Sequence, residues 1–205
     1  MNVSKPFEAM FPAVDSDVLA VVARSSRPRT GREVARLAGR SQPAVQTVLD
    51  RLTEQGLVYA SPAGRSRTYT LNRDHLAAPP IEALANLRPQ LFDRLRKLIA
   101  TWPIRPVHAS VFGSAARGDG TSESDIDVFI VRPRGRGEDD PAWEKQIDEL
   151  GDRIFAWTGN HAGIAEVGEQ SLATSRKDKL PVLAEIKSDA VELGGKSVQE
   201  LLGAT

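Results

Sequence analysis

The chain has 205 residues, room for one large or two small domains, and its 40% apolar and 26% charged residues are those of an ordinary soluble globular protein. No run of 18 apolar residues offers a membrane span, no apolar segment near the start reads as a signal peptide, and the absence of cysteine excludes disulfides and thiolate zinc sites and fits a cytoplasmic protein. The net charge of zero hides an asymmetry: residues 1–77 hold 11 Lys/Arg against 7 Asp/Glu, and residues 78–205 hold 16 against 20, so the two halves face different partners.

The first half reads as helices followed by a hairpin. Residues 15–24, DSDVLAVVAR, carry apolar side chains at helical spacing. After the loop SSRPR, Thr30 and Glu33 have the spacing of a capping box, in which hydroxyl and carboxylate satisfy orphan N–H groups at a helix start. Gly39 ends that helix, and Ser41 is the expected cap of a longer one, with Pro43 in its first turn. Val45, Val48, Leu49 and Leu52 form its apolar stripe, and Gly56 stops it. LVYASPAGRSRTYTL then reads as two short strands turning at Pro62-Ala63-Gly64-Arg65.

Two short helices joined by the turn Ala38-Gly39-Arg40, then a hairpin with a basic tip, resemble the winged helix-turn-helix family over about residues 14–75. The resemblance implies a second helix in the DNA major groove and a wing on the backbone or minor groove. It would place Ser41, Gln42, Ala44, Gln46 and Thr47 toward the groove, Arg51 nearer the backbone, and Arg65 and Arg67 on the wing. Arg24, Arg27, Arg29, Arg32, Arg36 and Arg40 form a basic run suited to phosphates. Winged helices also serve as protein-interaction modules, and an Arg-rich face can be merely solvated.

Residues 72–80 read as a connector stiffened by Pro79-Pro80. Residues 81–102 read as a long amphipathic helix that Pro89 should kink or split. Such a helix could be a spacer, a dimer surface or the first helix of the next domain. Residues 107–112, VHASVF, read as a strand; Gly113-Ser114 close it, AARGDGTSES is loop, and DIDVFIV is a second, buried strand.

Two carboxylates entering a buried strand require a counter-charge. A phosphate-binding P-loop has the spacing of Gly113 and Gly118, but Asp119 stands where its lysine belongs. An EF-hand needs a regular acidic pattern that DGTSESDID lacks. Strand alternation, by contrast, points Asp125 and Asp127 to one face with Cα atoms roughly 6.5–7 Å apart. That pair can clasp Mg²⁺ together with the phosphates of a nucleotide. Gly113 lets backbone N–H groups approach the phosphates, the Ser114 hydroxyl can donate, and Arg117 adds positive charge.

The segment VFGSAARGDGTSESDIDVFIV resembles the nucleotidyltransferase superfamily of the DNA polymerase beta type, most closely its minimal bacterial and archaeal members, through Gly113, Ser114, Arg117, Gly118, Ser124, Asp125 and Asp127. The resemblance implies catalytic and metal-binding roles for Asp125 and Asp127 with Mg²⁺ or Mn²⁺, and nucleotide contacts from Gly113, Ser114, Arg117 and Ser124. It also implies a third acid on a later strand. PAWEKQIDELGDRIFAW reads as a helix stopped by Gly159-Asn160, and HAGIAEVGE as a short strand, so Glu166 is the first expectation for that acid and Glu169 the second. The tail, KLPVLAEIKSDAVELGGKSVQELL, reads as helix, strand and helix.

The expected fold is therefore α/β (α+β): a winged helix-turn-helix over 1–78, and over 79–205 a nucleotidyltransferase domain with a small mixed sheet flanked by helices, 79–102 being the linking helix. Its implied activity is transfer of a nucleoside monophosphate from an NTP to a hydroxyl. Minimal enzymes of this kind often modify a partner toxin, and a DNA-binding half fits an antitoxin that regulates its own operon. A transcription factor that only senses nucleotide is the rival reading, and an antibiotic-modifying enzyme ranks below both. A homodimer on paired half-sites is a further expectation.

Overall fold

Thr30 and Glu33 form the reciprocal capping box that their spacing predicts. The Glu33 amide donates to Thr30 Oγ1 at 3.3 Å, and the Thr30 amide donates to Glu33 Oε2 at 2.8 Å. They start a helix in one of two units of this computed structural model: Lys5–Leu87, and Met1–Ser4 together with Arg88–Thr205. The structure describes residues 1–174 and 182–202.

In the first unit, α1 (Ala13–Arg24), α2 (Gly31–Ala38) and α3 (Gln42–Glu54) pack around Val18, Val22, Val34, Val45 and Leu49. Gly39 ends α2 in the left-handed conformation, φ +64°, which glycine adopts without a Cβ penalty. Ser41 holds the N-cap backbone position of α3, but its side chain makes no capping hydrogen bond. Strand β1 (Arg29–Thr30), which the sequence pattern did not announce, joins β2 (Val58–Ala63) and β3 (Ser66–Leu71) in the antiparallel order β1-β3-β2. The hairpin turn is tighter than expected. Pro62 and Ala63 pair with Arg67 and Ser66, which leaves Gly64-Arg65 as a two-residue loop with positive φ at Gly64. Pro62 is tolerated because β2 is an edge strand.

The unit continues past residue 78 because α4 (Ala78–Ala85) buries Ala78 and Ala85 in the same core. The helix expected over 79–102 is thus two helices, α4 and α5 (Leu87–Ala100), with Asn86 between them. Pro89 lies in the first turn of α5, where its missing N–H costs nothing.

The second unit is a mixed four-stranded sheet in the order β6-β5-β4-β7. Strand β4 (His108–Val111) pairs antiparallel with β5 (Ile126–Arg132) on one side and with β7 (Val191–Gly195) on the other, while β6 (Ala162–Gly168) runs parallel to β5. Period-2 alternation divides the sheet. Ala109, Val111, Ile126, Val128 and Ile130 face a core shared with α5 and with Trp143, Leu150 and Ile154 of α7 (Pro141–Thr158). Phe129 and Val131 face the opposite side, where Leu183 and Ile186 of α9 (Val182–Asp189) are buried with them. The short α8 (Glu169–Thr174) and α10 (Val198–Leu202) complete the unit. The start of the chain also belongs here: Val3 is buried in the α5/α7 core, and Asn2 Nδ2 donates to Gly120 O at 2.8 Å.

Candidate functional site

Asp125 stands just before β5 and Asp127 one residue inside it, on the face shared with Phe129 and Val131. Asp125 is exposed and Asp127 half-buried. Among the described residues, no hydrogen bond or ion pair reaches either carboxylate. Burial first, then the neighbouring negative charges of Asp125 and Glu185, push the Asp127 carboxyl above its ordinary range, and Arg117 opposes them. Two glycines cradle this carboxylate. Gly113 has φ +65°, and a Cβ there would lie 2.7 Å from Asp127 Oδ2; at Gly163, which pairs with Asp127 across the sheet, a Cβ would lie 2.6 Å from Oδ1. Larger residues at either position would push the carboxylate aside.

Residues Gly113–Arg117, expected as strand end and loop, form the short helix α6, ended by Gly118 at φ +89°. The Ser114 hydroxyl faces Gly120, where a Cβ would approach it to 3.1 Å. Ser124 folds back locally, accepting from the Thr121 amide at 2.9 Å. Asn160 holds the same loop: its Nδ2 donates to Ser122 O at 3.1 Å and to Ser124 O at 2.9 Å. Arg117 is engaged by acids on both sides, donating to Asp189 Oδ2 at 2.7 Å and Asp119 Oδ2 at 3.1 Å, and these bonds hold its guanidinium firmly protonated.

On the first unit, the N-cap Ser41 and, on α3, Gln42 and Thr47 are exposed. Gln46 is tied down: its Nε2 donates to Asp50 Oδ1 at 2.8 Å and to Tyr69 Oη at 2.9 Å. Arg40 pairs with Asp17 at 2.6 Å and Arg51 with Asp15. In the basic run, Arg27 and Arg29 both pair with Glu33, and Arg24 donates to Ala85 O. Arg65 and Arg67 are exposed on the wing and, among the described residues, make no ion pair.

A model described as "MarR family" matches residues 11–67, and one described as "Nucleotidyltransferase domain" matches residues 92–186. The chain joins a MarR-family winged helix domain to a nucleotidyltransferase domain. No curated protein matches it at a significant level. Two solved structures are similar over 54% of this chain and 80% of theirs, each with a TM-score of 0.38. One is a toxin-antitoxin with AMP-PNP, 16% identical; the other is a mutant of the toxin-antitoxin MntA-HpeT, 13% identical.

Within the nucleotidyltransferase domain the structure brings Gly113, Ser114, Arg117, Ser124, Asp125 and Asp127 into one region but leaves Glu166 out. Glu166 pairs with Ile130, three positions along the strand from Asp127, and lies on the other face of the sheet. There its carboxylate pairs with the buried Arg132 and accepts from Trp143 Nε1 at 2.9 Å. Glu169 pairs with Arg134 at 3.4 Å and Lys196 at 3.3 Å. The β6 residue on the correct face is Gly163. Among the described residues, no three acidic or histidine side chains gather closely enough to hold a metal ion by themselves. Sequence reasoning missed Asn160, read only as a helix stop, and Glu185, which the pattern shows as one more polar position on a surface helix.

Proposed function

We propose that the nucleotidyltransferase domain moves a nucleoside monophosphate from an NTP to a hydroxyl acceptor, releasing pyrophosphate, and that the MarR-family domain binds DNA. One observation carries this reading: Asp125 and the half-buried Asp127 stand side by side with no bonded counter-charge among the described residues, and Gly113 and Gly163 form a cradle around the Asp127 carboxylate. Uncompensated carboxylates of this kind call for a cation. The donors are hard oxygens, and Mg²⁺ characteristically takes one or two carboxylates and completes its shell with substrate phosphates and water, so these residues fit Mg²⁺ or Mn²⁺. When bound, the ion would offset negative charge on the triphosphate and on the leaving pyrophosphate.

This chain's own residues supply the rest. Asp125 and Asp127 fix where the triphosphate sits. The Ser114 hydroxyl and the Gly113 backbone N–H would donate to phosphate oxygens, with Gly120 leaving room above the hydroxyl. Arg117 is placed to trade Asp119 or Asp189 for a phosphate. Ser124, bonded into its own loop and steadied by Asn160, positions Asp125. The acceptor oxygen bonds to the α-phosphorus as the bond to pyrophosphate breaks, and the acceptor proton passes to a site carboxylate or to water. The family resemblance points to a protein hydroxyl as acceptor, in a cytoplasmic, antitoxin-like regulator that binds DNA as a homodimer.

Gly163 favours a second reading, in which the domain binds nucleotide without transferring it, because the β6 position beside Asp127 carries no acid. Purified protein with Mg²⁺, α-³²P-labelled NTPs and cell lysate separates the two. Label should pass to an acceptor band with the wild type, and the Asp125→Asn/Asp127→Asn variant should lose at least about a thousandfold in transfer. Nucleotide binding without any label transfer would leave the sensor reading in its place.

A further inference from the structure

On the face of the sheet that presents Asp127, the neighbouring position on β6 carries no side chain. A side chain at position 163 would meet the Asp127 carboxylate, its Cβ lying 2.6 Å from Asp127 Oδ1 and in ordinary contact, 3.8 Å, with Asp125 Cβ, and the residue there is glycine. The same face is covered by α9, whose Leu183 and Ile186 are buried against Phe112, Phe129 and Val131. Alternation puts Asp127 in line with Phe129 and Val131, directly along the surface that α9 covers. Helix α9 also reaches α6, since its Asp189 accepts from Arg117 at 2.7 Å. Glu185 lies four residues before Asp189 and so projects from the same side of the helix. It is exposed and, among the described residues, has no hydrogen bond or ion pair, whereas Asp189 and Glu166 are both held by arginines. Its charge is felt at Asp127, where it raises proton affinity.

We propose that Glu185, carried on α9 and not on the sheet, supplies the third carboxylate of the site. This rests on the reading of Asp125 and Asp127 as the metal-binding pair. An exposed glutamate with three free side-chain torsions can turn inward when a divalent ion and a triphosphate supply the missing positive charge and ligands. The arrangement accounts for Gly163: a carboxylate on β6 would collide with Asp127, while one on the covering helix approaches from above. It also puts the third ligand and the Arg117 partner, Asp189, on one helix, so nucleotide entry acts on both.

The test is Mn²⁺ titration of the full chain, followed by electron paramagnetic resonance, with a non-hydrolysable ATP analogue present. The wild type should bind Mn²⁺. Glu185→Gln should weaken binding by about tenfold or remove one bound ion, and Glu185→Asp should stay closer to wild type. The melting temperature should not move, because Glu185 is exposed. A Glu185→Gln chain that titrates like the wild type, while Asp125→Asn/Asp127→Asn binds no Mn²⁺, overturns the role of Glu185 and leaves the site standing. A double aspartate variant that binds Mn²⁺ like the wild type, or a wild type that binds none, overturns both.

Discussion

The two domains treat charge in opposite ways. The MarR-family domain is rich in arginine, yet much of that charge is answered at home: Arg40 by Asp17, Arg51 by Asp15, Arg27 and Arg29 by Glu33. The nucleotidyltransferase domain does the reverse at its centre, half-burying Asp127 beside Asp125 with no bonded cation among the described residues. A paired surface charge contributes little to stability and is slow to reveal a function. An unpaired buried charge costs stability in the free protein, so a ligand has to account for it. Charge count alone therefore misleads here. The basic half holds fewer free cations than its composition advertises, and the acidic half holds the sharper binding signal.

Gly113 gives the most severe way to break that contrast after removal of the aspartates themselves. Alanine there meets two costs. The left-handed backbone, φ +65°, costs an L-residue about 1–2 kcal/mol, and the new Cβ stands 2.7 Å from Asp127 Oδ2. Gly113→Ala should lower Mn²⁺-dependent nucleotide affinity by roughly tenfold to a hundredfold, since the carboxylate must turn away from its cradle. Isothermal titration checks it. Wild-type affinity in a folded Gly113→Ala chain would show that the cradle does not set the carboxylate's position.

Much of this was legible in the sequence wherever short-range rules decide. The Thr30/Glu33 box, the Val45–Val48–Leu49–Leu52 stripe and the shared face of Asp125 and Asp127 follow from spacing alone, and all three are present. What failed needed long-range information. Glu166 and Gly163 lie on the same strand, and only the pairing of Gly163 with Asp127 decides which parity faces the site. Glu166 then turns toward Arg132 and Trp143, a contact that no local pattern encodes. Residues 1–4 joining the far unit through Val3 is equally invisible in order along the chain, as is Asn160 bracing a loop that begins some forty residues earlier.

The wing sharpens the other side of the comparison. Arg65 and Arg67 are exposed and make no ion pair among the described residues, so their charge is available to phosphates. Arg65→Ala/Arg67→Ala should weaken DNA binding by about tenfold at 0.15 M salt, uniformly across sequences, and reduce the slope of log affinity against log salt by about 2. Arg40→Ala, removing a cation that Asp17 already answers, should change both less. Fluorescence anisotropy at several salt concentrations measures these slopes. Equal losses for Arg40 and for the wing pair would mean that the ion pairs open on DNA and that local pairing is no guide to the interface.

The smallest expected effect comes from a group that avoids charge altogether. His108 is fully buried on β4, with Nδ1 2.7 Å from Lys196 O and Nε2 2.9 Å from Ser110 Oγ. Burial pushes its pKa below the ordinary 6.5, against the smaller opposing pulls of the Lys196 carbonyl and of Glu192. The unfolded chain therefore takes up a proton near pH 6.5 that the folded chain refuses, and stability contributed by this group is present above that pH and lost as pH falls below it. Thermal melts of the nucleotidyltransferase transition should drop by a few degrees between pH 7 and pH 5. His108→Gln, which keeps polar atoms near both partners but cannot titrate, should flatten that slope even if it lowers the melting temperature at pH 7. An unchanged slope in the variant would assign the acid sensitivity to the carboxylates and remove His108 from the account.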